Sequence, residues 1–307
     1  MSAPQTNGTH LAPGESESQH FSPYRSDGKL YGFVCIVIGA THPVGKAIIH
    51  ELATHGAASI YACTLPTSST STPAAPDLPS TTSTQIIHYP YLPTEEGTLQ
   101  LIDDVLNSHG RLDIYATLST LLGPSSLKST SPTNLYSLFE ANALVPFYAL
   151  KYAPPAMGKL CTRGSYTNAA PKEQKYGSII VVGGTGSEYG GEWGVGWTMS
   201  QHAALGVVKA GVKELRGTGV RINGISFGGI EGGLGFGGAV GGAAGTKGEE
   251  QKLGVGVGSG LERPGRADEV ARVAGFLASG FSSYITGSNM VVDGGARAMN
   301  PVQMPIT

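Results

Sequence analysis

The sequence has little charge of either sign and few cysteines. Its 307 residues include 22 acidic and 20 basic side chains, for a net charge of −2. A chain this close to neutral lacks the basic surface of proteins that bind nucleic acid or anionic lipid. Its three cysteines lie far apart, without CxxC or His ligand spacing, so we expect neither disulfides nor a metal site. The longest apolar runs, such as residues 33–40, are far shorter than the roughly 20 residues of a membrane span.

Glycine, in contrast, is abundant, and low-complexity stretches mark the limits of the folded part. The 46 glycines are about twice the average share. Residues 1–28 are rich in Ser, Pro and Gly and contain no apolar core segment, which predicts a disordered tail without a secretory or transit signal, in a cytoplasmic protein. We expect one domain over residues 29–296, with a Ser/Thr/Pro-rich insertion at 65–84, a glycine-rich loop at 228–260 and a C-terminal tail at 297–307.

Between the tails, the hydrophobic pattern alternates between strands and helices. The predicted strands are 31–38, 59–63, 85–89, 112–116, 178–182, 220–226 and 289–292, and the predicted helices are 43–55, 94–108, 134–152, 194–215 and 267–279. This alternation predicts an α/β fold with a doubly wound parallel sheet in a single domain. Such sheets bind ligands at the carboxyl ends of their strands, where the loop at 228–260 is expected to act as a lid or as a spacer.

Several motifs in the last third of the chain carry a family resemblance. The stretches RPGRADEVA (263–271), FLAS (276–279), YITG (284–287) and VDGG (292–295) follow FEAN (139–142) and VRIN (220–223) in order. Over residues 29–296 the chain resembles the short-chain dehydrogenase/reductase (SDR) family. The resemblance implies a Rossmann-like fold, a small-molecule substrate, and assembly into a homodimer or homotetramer through two long helices.

The family's dinucleotide loop, TGxxxGxG, has a counterpart in IGATHPVG (38–45). Gly39 and Gly45 match its first and last glycines, whereas Pro43 replaces the middle one. Proline removes a backbone donor and a permissive backbone at that point, so the loop either binds a cofactor weakly or only starts a helix. The residues that the resemblance places around a dinucleotide are Gly39, Thr41, Val44, Gly45, Asn142 and Gly228.

Cofactor choice in such folds is made at the end of the second strand, where an acidic or basic side chain meets the ribose or its phosphate. Cys63 and Thr64 stand at this place. Neither determinant is present, so the sequence does not indicate a preference between NADH and NADPH.

The catalytic positions implied by the resemblance hold other residue types. The family uses a tyrosine as proton donor, a nearby lysine that lowers the pKa of the phenol, and a serine that polarises the carbonyl. These positions are Trp197, Gln201 and Gly184 in this sequence, and only the fourth member, Asn142, is retained. Proton transfer needs a titratable group of suitable pKa, so these residues do not supply the family's acid.

Other side chains near these positions are candidates for the chemistry. Glu192 is the preferred acid or base, because a carboxyl beside Trp193 and Trp197 would be desolvated and its pKa raised; a solvated loop glutamate is the alternative. Trp197 either offers a stacking face to a ligand or belongs to the core. Tyr189 and Thr185 lie on the segment that passes the reacting carbon in SDR enzymes. The candidate catalytic residues are Glu192, Tyr189, Thr185, Trp197 and Asn142.

These features leave three hypotheses. The leading one is a non-redox cyclase or isomerase of fungal secondary metabolism, which holds one substrate conformer in a dry pocket and requires no cofactor. The second is an NADPH-dependent reductase whose electrophilic substrate, such as an iminium, needs no proton from a tyrosine. The third is a non-catalytic subunit that partners a true SDR enzyme.

Overall fold

The computed structural model describes residues 17–64, 83–118, 121–162, 164, 166, 168–190, 194–231 and 259–298. The strands of its sheet are β1 Val34–Ile38, β2 Ser59–Thr64, β3 Gln85–Pro90, β4 Ile114–Leu118, β5 Gly177–Gly184, β6 Val220–Phe227 and β7 Asn289–Val292. All neighbouring strands are parallel, and their order is β3-β2-β1-β4-β5-β6-β7. The predicted doubly wound α/β fold is therefore confirmed.

Helices cover both faces of the sheet. They are α1 Glu17–His20, α2 Pro43–Thr54, α3 Glu95–His109, α4 Pro132–Phe139, α5 Val145–Met157, α6 Val195–Glu214 and α7 Ala267–Ala278. One apolar core lies between the sheet and α2 with α7, and a second lies between the opposite face and α3, α5 and α6. Strand β1 supplies both cores because its successive side chains point to opposite faces.

The helix predicted at 134–152 is made of three elements. Helix α4 starts earlier, where Ser131 and Asn134 form a capping box. A π-helical turn, Glu140–Leu144, then joins it to α5. Helix α5 continues through Pro154 and Pro155, because proline can adopt helical backbone angles and two prolines near a helix end remove few internal hydrogen bonds.

The tail expected over residues 1–28 is in part folded. After α1, the His20 ring stacks on Tyr31 with centroids 4.7 Å apart, and Tyr24 meets Tyr176 edge-on at 6.0 Å. The expectation of disorder is wrong for residues 17–28, because aromatic side chains spaced along a polar segment bury surface that composition alone does not indicate. Residues 1–16, most of 65–84 and of 228–260, and residues 299–307 lie outside the described residues.

A buried ion cluster joins the strands near their amino ends. The carboxylate of Asp113 is fully buried and accepts hydrogen bonds from Arg111 Nε at 2.8 Å and from the Val34 N–H at 2.9 Å. Lys172 Nζ lies 2.9 Å from the second carboxylate oxygen. Although burial acts to raise it, the charges of Arg111 and Lys172 hold the pKa of Asp113 below its ordinary value. The cluster therefore ties β1 to β4 and to the segment before β5.

We predict that His109, at the end of α3, makes the protein less stable in acid. It is 1% exposed and lies edge-on to Tyr61. Burial lowers the pKa of His109 below its ordinary value of 6.5. Below that pH the unfolded chain binds a proton that the folded chain excludes, so the free energy of unfolding falls by up to about 1.4 kcal/mol per pH unit.

Urea unfolding at pH values from about 8 down to 5 measures this effect. His109→Phe removes the titrating group and keeps an aromatic ring against Tyr61, so its free energy of unfolding is expected to fall less than that of the wild type below pH 6.5. The exposed His88→Phe variant should follow the wild type. Parallel curves for the wild type and His109→Phe would contradict the prediction.

Candidate functional site

The turn from β1 into α2 keeps the close approach that a dinucleotide loop requires. Gly39 has a φ of +89°, which residues other than glycine rarely adopt. A Cβ at Gly45 would lie 2.1 Å from the carbonyl oxygen of Gly39, so α2 begins directly against the turn. The helix therefore begins close to the end of β1, where dinucleotide-binding folds place the phosphates.

His42 caps this helix. Its Nδ1 accepts the backbone N–H of Val44 at 3.2 Å, and Pro43 has no N–H. Among the donors that a helix start offers to an anion, one is thus missing and another is already bonded. The His42 ring lies 6.3 Å from the Phe227 ring, which places the turn beside the end of β6. Thr41 is exposed on the same turn.

The end of β2 carries no charged side chain to meet a ribose. Cys63 and Thr64 are both buried, and burial raises the pKa of the Cys63 thiol well above its ordinary value. Gly228, the remaining residue of the expected cofactor set, donates its N–H to the Val292 carbonyl of β7 at 3.0 Å. The structure therefore gathers Gly39, Thr41, Val44 and Gly45 in one turn, whereas Gly228 lies against β7.

Trp197 belongs to the core. Its side chain is 1% exposed, and a Cβ at Gly186 would lie 2.8 Å from its Nε1. The indole therefore packs against the turn that follows β5, in space that Gly186 leaves open. Of the two alternatives for Trp197, this packing favours the core, because it covers the ring.

Gln201, one turn further along α6, ties the helix to the end of β5. Its Oε1 accepts the Gly184 N–H at 3.0 Å, and its Nε2 is buried without a hydrogen-bond partner in the described part of the chain. The three positions that the resemblance assigns to the family's acid and its helpers are thus adjacent in space. They hold an indole, an amide and a glycine, none of which titrates near neutral pH.

Asn142 lies in the π-helical turn and is fully buried. Its Nδ2 donates to the Leu121 carbonyl at 2.7 Å and to Ser200 Oγ at 3.1 Å, and its Oδ1 accepts the Leu121 N–H at 3.3 Å. These bonds fasten the segment after β4 to α6. Asn142 is therefore a positioning residue, which holds the segment after β4 against α6.

Two of the remaining candidates meet at the carboxyl end of β5. The Tyr189 hydroxyl donates to Thr185 Oγ1 at 3.1 Å, and the Tyr189 side chain is 42% exposed. Glu192 and Trp193 lie outside the described residues, so the desolvated carboxyl expected there stays a prediction.

Sequence reasoning missed a chain of hydrogen bonds beside this pair. It joins Ser187 and Glu188, on the turn after β5, to Ser226 of β6, Asn289 of β7 and Arg297. Polar residues so far apart in sequence give no periodic signal, and only the β5-β6-β7 strand order brings them together.

The described ranges contain neither a candidate metal site nor a candidate membrane span. In those ranges no three His, Cys, Asp or Glu side chains are grouped so that they could hold a metal ion. No helix there has the length and hydropathy to cross a bilayer.

Comparison with known sequences decides the family. A family profile described as enoyl-(acyl carrier protein) reductase matches residues 39–297. The chain belongs to the SDR family. Among its relatives, (+)-borneol dehydrogenase 1 of Salvia officinalis is 28% identical over 283 residues, which cover 89% of this chain and 96% of that protein. The 3-oxoacyl-(acyl-carrier-protein) reductase of Thermotoga maritima is 25% identical, over 87% of this chain and 98% of that protein.

Solved structures support the same fold. The aldohexose dehydrogenase of Thermoplasma acidophilum superimposes with a TM-score of 0.67 at 20% identity, over 91% of this chain and 99% of that chain. A dehydrogenase/reductase from Sinorhizobium meliloti gives the same TM-score at 17% identity.

These relatives correct one expectation for this SDR protein. Those named above are dehydrogenases and reductases, which carry out hydride transfer. The expectation that no cofactor is required is therefore wrong, and the comparison points to a nicotinamide cofactor. The close approach of Gly45 to Gly39 agrees with this correction, because a dinucleotide-binding turn packs its helix closely against the preceding strand through a glycine.

We predict that His42 stabilises the folded protein through its cap. His42→Ala removes the acceptor for the Val44 N–H and should lower the free energy of unfolding by about 1 kcal/mol. His42→Asn can accept the same N–H through its amide oxygen and should stay close to the wild type. Urea unfolding measures both variants, with the exposed His50→Ala of α2 as the control. A stability of His42→Ala equal to that of the wild type would refute the cap.

Proposed function

We propose that this SDR protein binds a nicotinamide dinucleotide and transfers hydride to an electrophilic small molecule, such as an iminium, without the family's tyrosine and lysine. The observation that supports it most is the contact between Gly39 and Gly45, which packs the start of α2 directly against the turn after β1, as a dinucleotide-binding turn requires. The bond between His42 and Val44 must open for the Val44 amide to bind the phosphate. The buried, unpartnered Nε2 of Gln201 is a donor at the place where the family carries its lysine.

The missing proton donor limits the substrate. A nicotinamide cofactor, when bound, supplies a hydride. A neutral carbonyl that accepts hydride also needs a proton on its oxygen, and the α6 positions 197 and 201 hold no acid. An iminium carbon needs no proton, because hydride addition forms the C–H bond while the C=N π electrons become the lone pair of a neutral amine. The side chains at 197 and 201 therefore suit a cationic or otherwise activated electrophile.

Tyr189 and Thr185 have a place in this proposal at the rim of the substrate space. Their mutual hydrogen bond leaves the Tyr189 ring partly exposed beyond the end of β5, where it can pack against an apolar substrate.

A cyclase or isomerase of specialised metabolism is the second candidate function. The buried indole of Trp197 and the bonded amide of Gln201 favour it, since they shape a site without offering an acid. The names of two similar plant proteins, (+)-borneol dehydrogenase 1 and momilactone A synthase of rice, agree with a role in specialised metabolism. A product with the same mass as its substrate would identify this activity.

We also propose that the protein is a homo-oligomer assembled through the helices around the π-helical turn. Tyr136 of α4 is 71% exposed and Phe147 of α5 is 42% exposed, which is unusual for large apolar side chains on neighbouring helices. Phe147→Glu is expected to reduce the mass measured by light scattering to that of the monomer. The fully exposed Tyr284→Glu is the control, and a monomeric wild type would overturn the assignment.

Calorimetric titration with NADPH, NADH and their oxidised forms tests the main proposal. We expect a Kd in the micromolar range, about −8 kcal/mol in binding free energy, and stoichiometric NADPH oxidation with a member of a panel of cyclic imines and quinones. Gly45→Ala should lose binding because its Cβ meets the Gly39 carbonyl oxygen. Gly206→Ala, whose Cβ would contact nothing within 4 Å, should keep it. Absence of wild-type binding up to millimolar concentrations would refute the proposal.

A further inference from the structure

The turn after β5 is joined to β6 and β7 by five side chains in a row. Arg297 Nη1 donates to Glu188 Oε2 at 2.5 Å, and Glu188 Oε1 accepts Asn289 Nδ2 at 2.5 Å. Ser226 Oγ donates to Asn289 Oδ1 at 3.0 Å and lies 2.7 Å from Ser187 Oγ. The chain of bonds runs from Arg297, whose side chain is 46% exposed, to Ser187, which is 6% exposed.

The carboxylate of Glu188, second in the row after Arg297, gives every bond in the row a direction. Glu188, paired with Arg297, only accepts hydrogen bonds, so Asn289 must turn its NH₂ group toward Glu188 and its oxygen toward Ser226. Ser226 must then donate its single proton to Asn289. The proton between the two hydroxyls can come only from Ser187, which leaves Ser187 with lone pairs and no proton for a ligand.

This acceptor lies where a ligand is expected. Ser187 closes the turn Thr185–Ser187 directly after β5, and Ser226 is the penultimate residue of β6. The two hydroxyls therefore mark the carboxyl ends of adjacent central strands, the ligand-binding edge of a doubly wound sheet. Glu188, with a side chain 21% exposed, lies next to them, and its charge is paired with that of Arg297.

We propose that Glu188 and Ser187 determine substrate specificity, and that they select a ligand carrying a positively charged N–H group, a protonated imine or amine. Such a group donates a charge-assisted hydrogen bond to Ser187, whose orientation Glu188 fixes through Asn289 and Ser226. A carbonyl or quinone oxygen has only lone pairs to present to Ser187 and finds no proton there, so it is disfavoured. For the reaction, this inference rests on the proposed hydride transfer; for binding it stands alone.

Two ligands of nearly the same shape test it. 1,2,3,4-Tetrahydroisoquinoline is a secondary ammonium at neutral pH, and isochroman has an ether oxygen in place of the nitrogen. Calorimetric titration of the full chain should give at least about tenfold tighter binding of the ammonium, as expected for a charge-assisted hydrogen bond. Isochroman binding as tightly as the ammonium, or binding of neither ligand, would overturn the inference.

Glu188→Gln tests the direction of the bonds. A neutral amide can donate or accept, so Asn289 is free to reverse and Ser187 can then offer its proton. The preference for the ammonium should fall below about threefold in Glu188→Gln and in Ser187→Ala, which removes the acceptor itself. Glu262→Gln removes an exposed carboxylate and should keep the preference. Circular dichroism verifies that each variant is folded, and an unchanged preference in Ser187→Ala refutes the assignment.

The same proteins separate this inference from the proposed function. NADPH binding, followed by faster NADPH oxidation with 3,4-dihydroisoquinolinium than with 1,4-naphthoquinone, supports both. An ammonium preference without NADPH binding refutes only the hydride transfer. NADPH oxidation that is as fast with the quinone as with the iminium refutes only the role of Glu188 and Ser187.

Discussion

The buried carboxylate of Asp113 is the contact on which the arrangement of the central strands depends. It accepts the Val34 N–H of β1 at 2.9 Å, stands just before β4, and is neutralised by Arg111 and Lys172. Removing one partner of such a buried pair costs about 3–5 kcal/mol, because an uncompensated charge remains. Since parallel strands start together, fixing β1 against β4 at their amino ends also fixes where their carboxyl ends lie, and hence the edge that carries the site.

At that edge, contacts between helices and turns take the place of ionisable side chains. Gly45 allows α2 to meet Gly39, and Gly186 allows the Trp197 indole to pack against the turn after β5. Gln201 bonds to the end of the same strand through the Gly184 N–H. Each contact makes the backbone around the site more rigid, and none of the side chains involved supplies a proton. The high glycine content is thus used in part to bring backbone close to backbone around the site.

The elements of the fold could be predicted because they depend on local patterns. Periodicity gave β7 at 289–292 with its observed bounds, and the glycine and proline signals located α2. The π-helical turn and the cap by His42 have no such signal. The bond from Asn289 to Glu188 spans 101 residues and that from Arg297 spans 109, so sequence reasoning reached the segment after β5 but could not place Asn289 and Arg297 beside it. Trp197 was ambiguous because an indole suits either a core or a ligand.

Two independent features of the site agree on the charge of its ligand. Helix α6 lacks an acid, so a substrate that becomes an alkoxide on hydride addition would receive no proton from Trp197 or Gln201. The turn after β5 presents a hydroxyl without a free proton, whose orientation the paired Glu188 fixes, so a positively charged N–H group is the donor that this hydroxyl stabilises. The first feature concerns the reaction and the second concerns binding, and different strands and helices carry them. A protonated imine satisfies both, because it accepts hydride without a further proton and donates an N–H to Ser187.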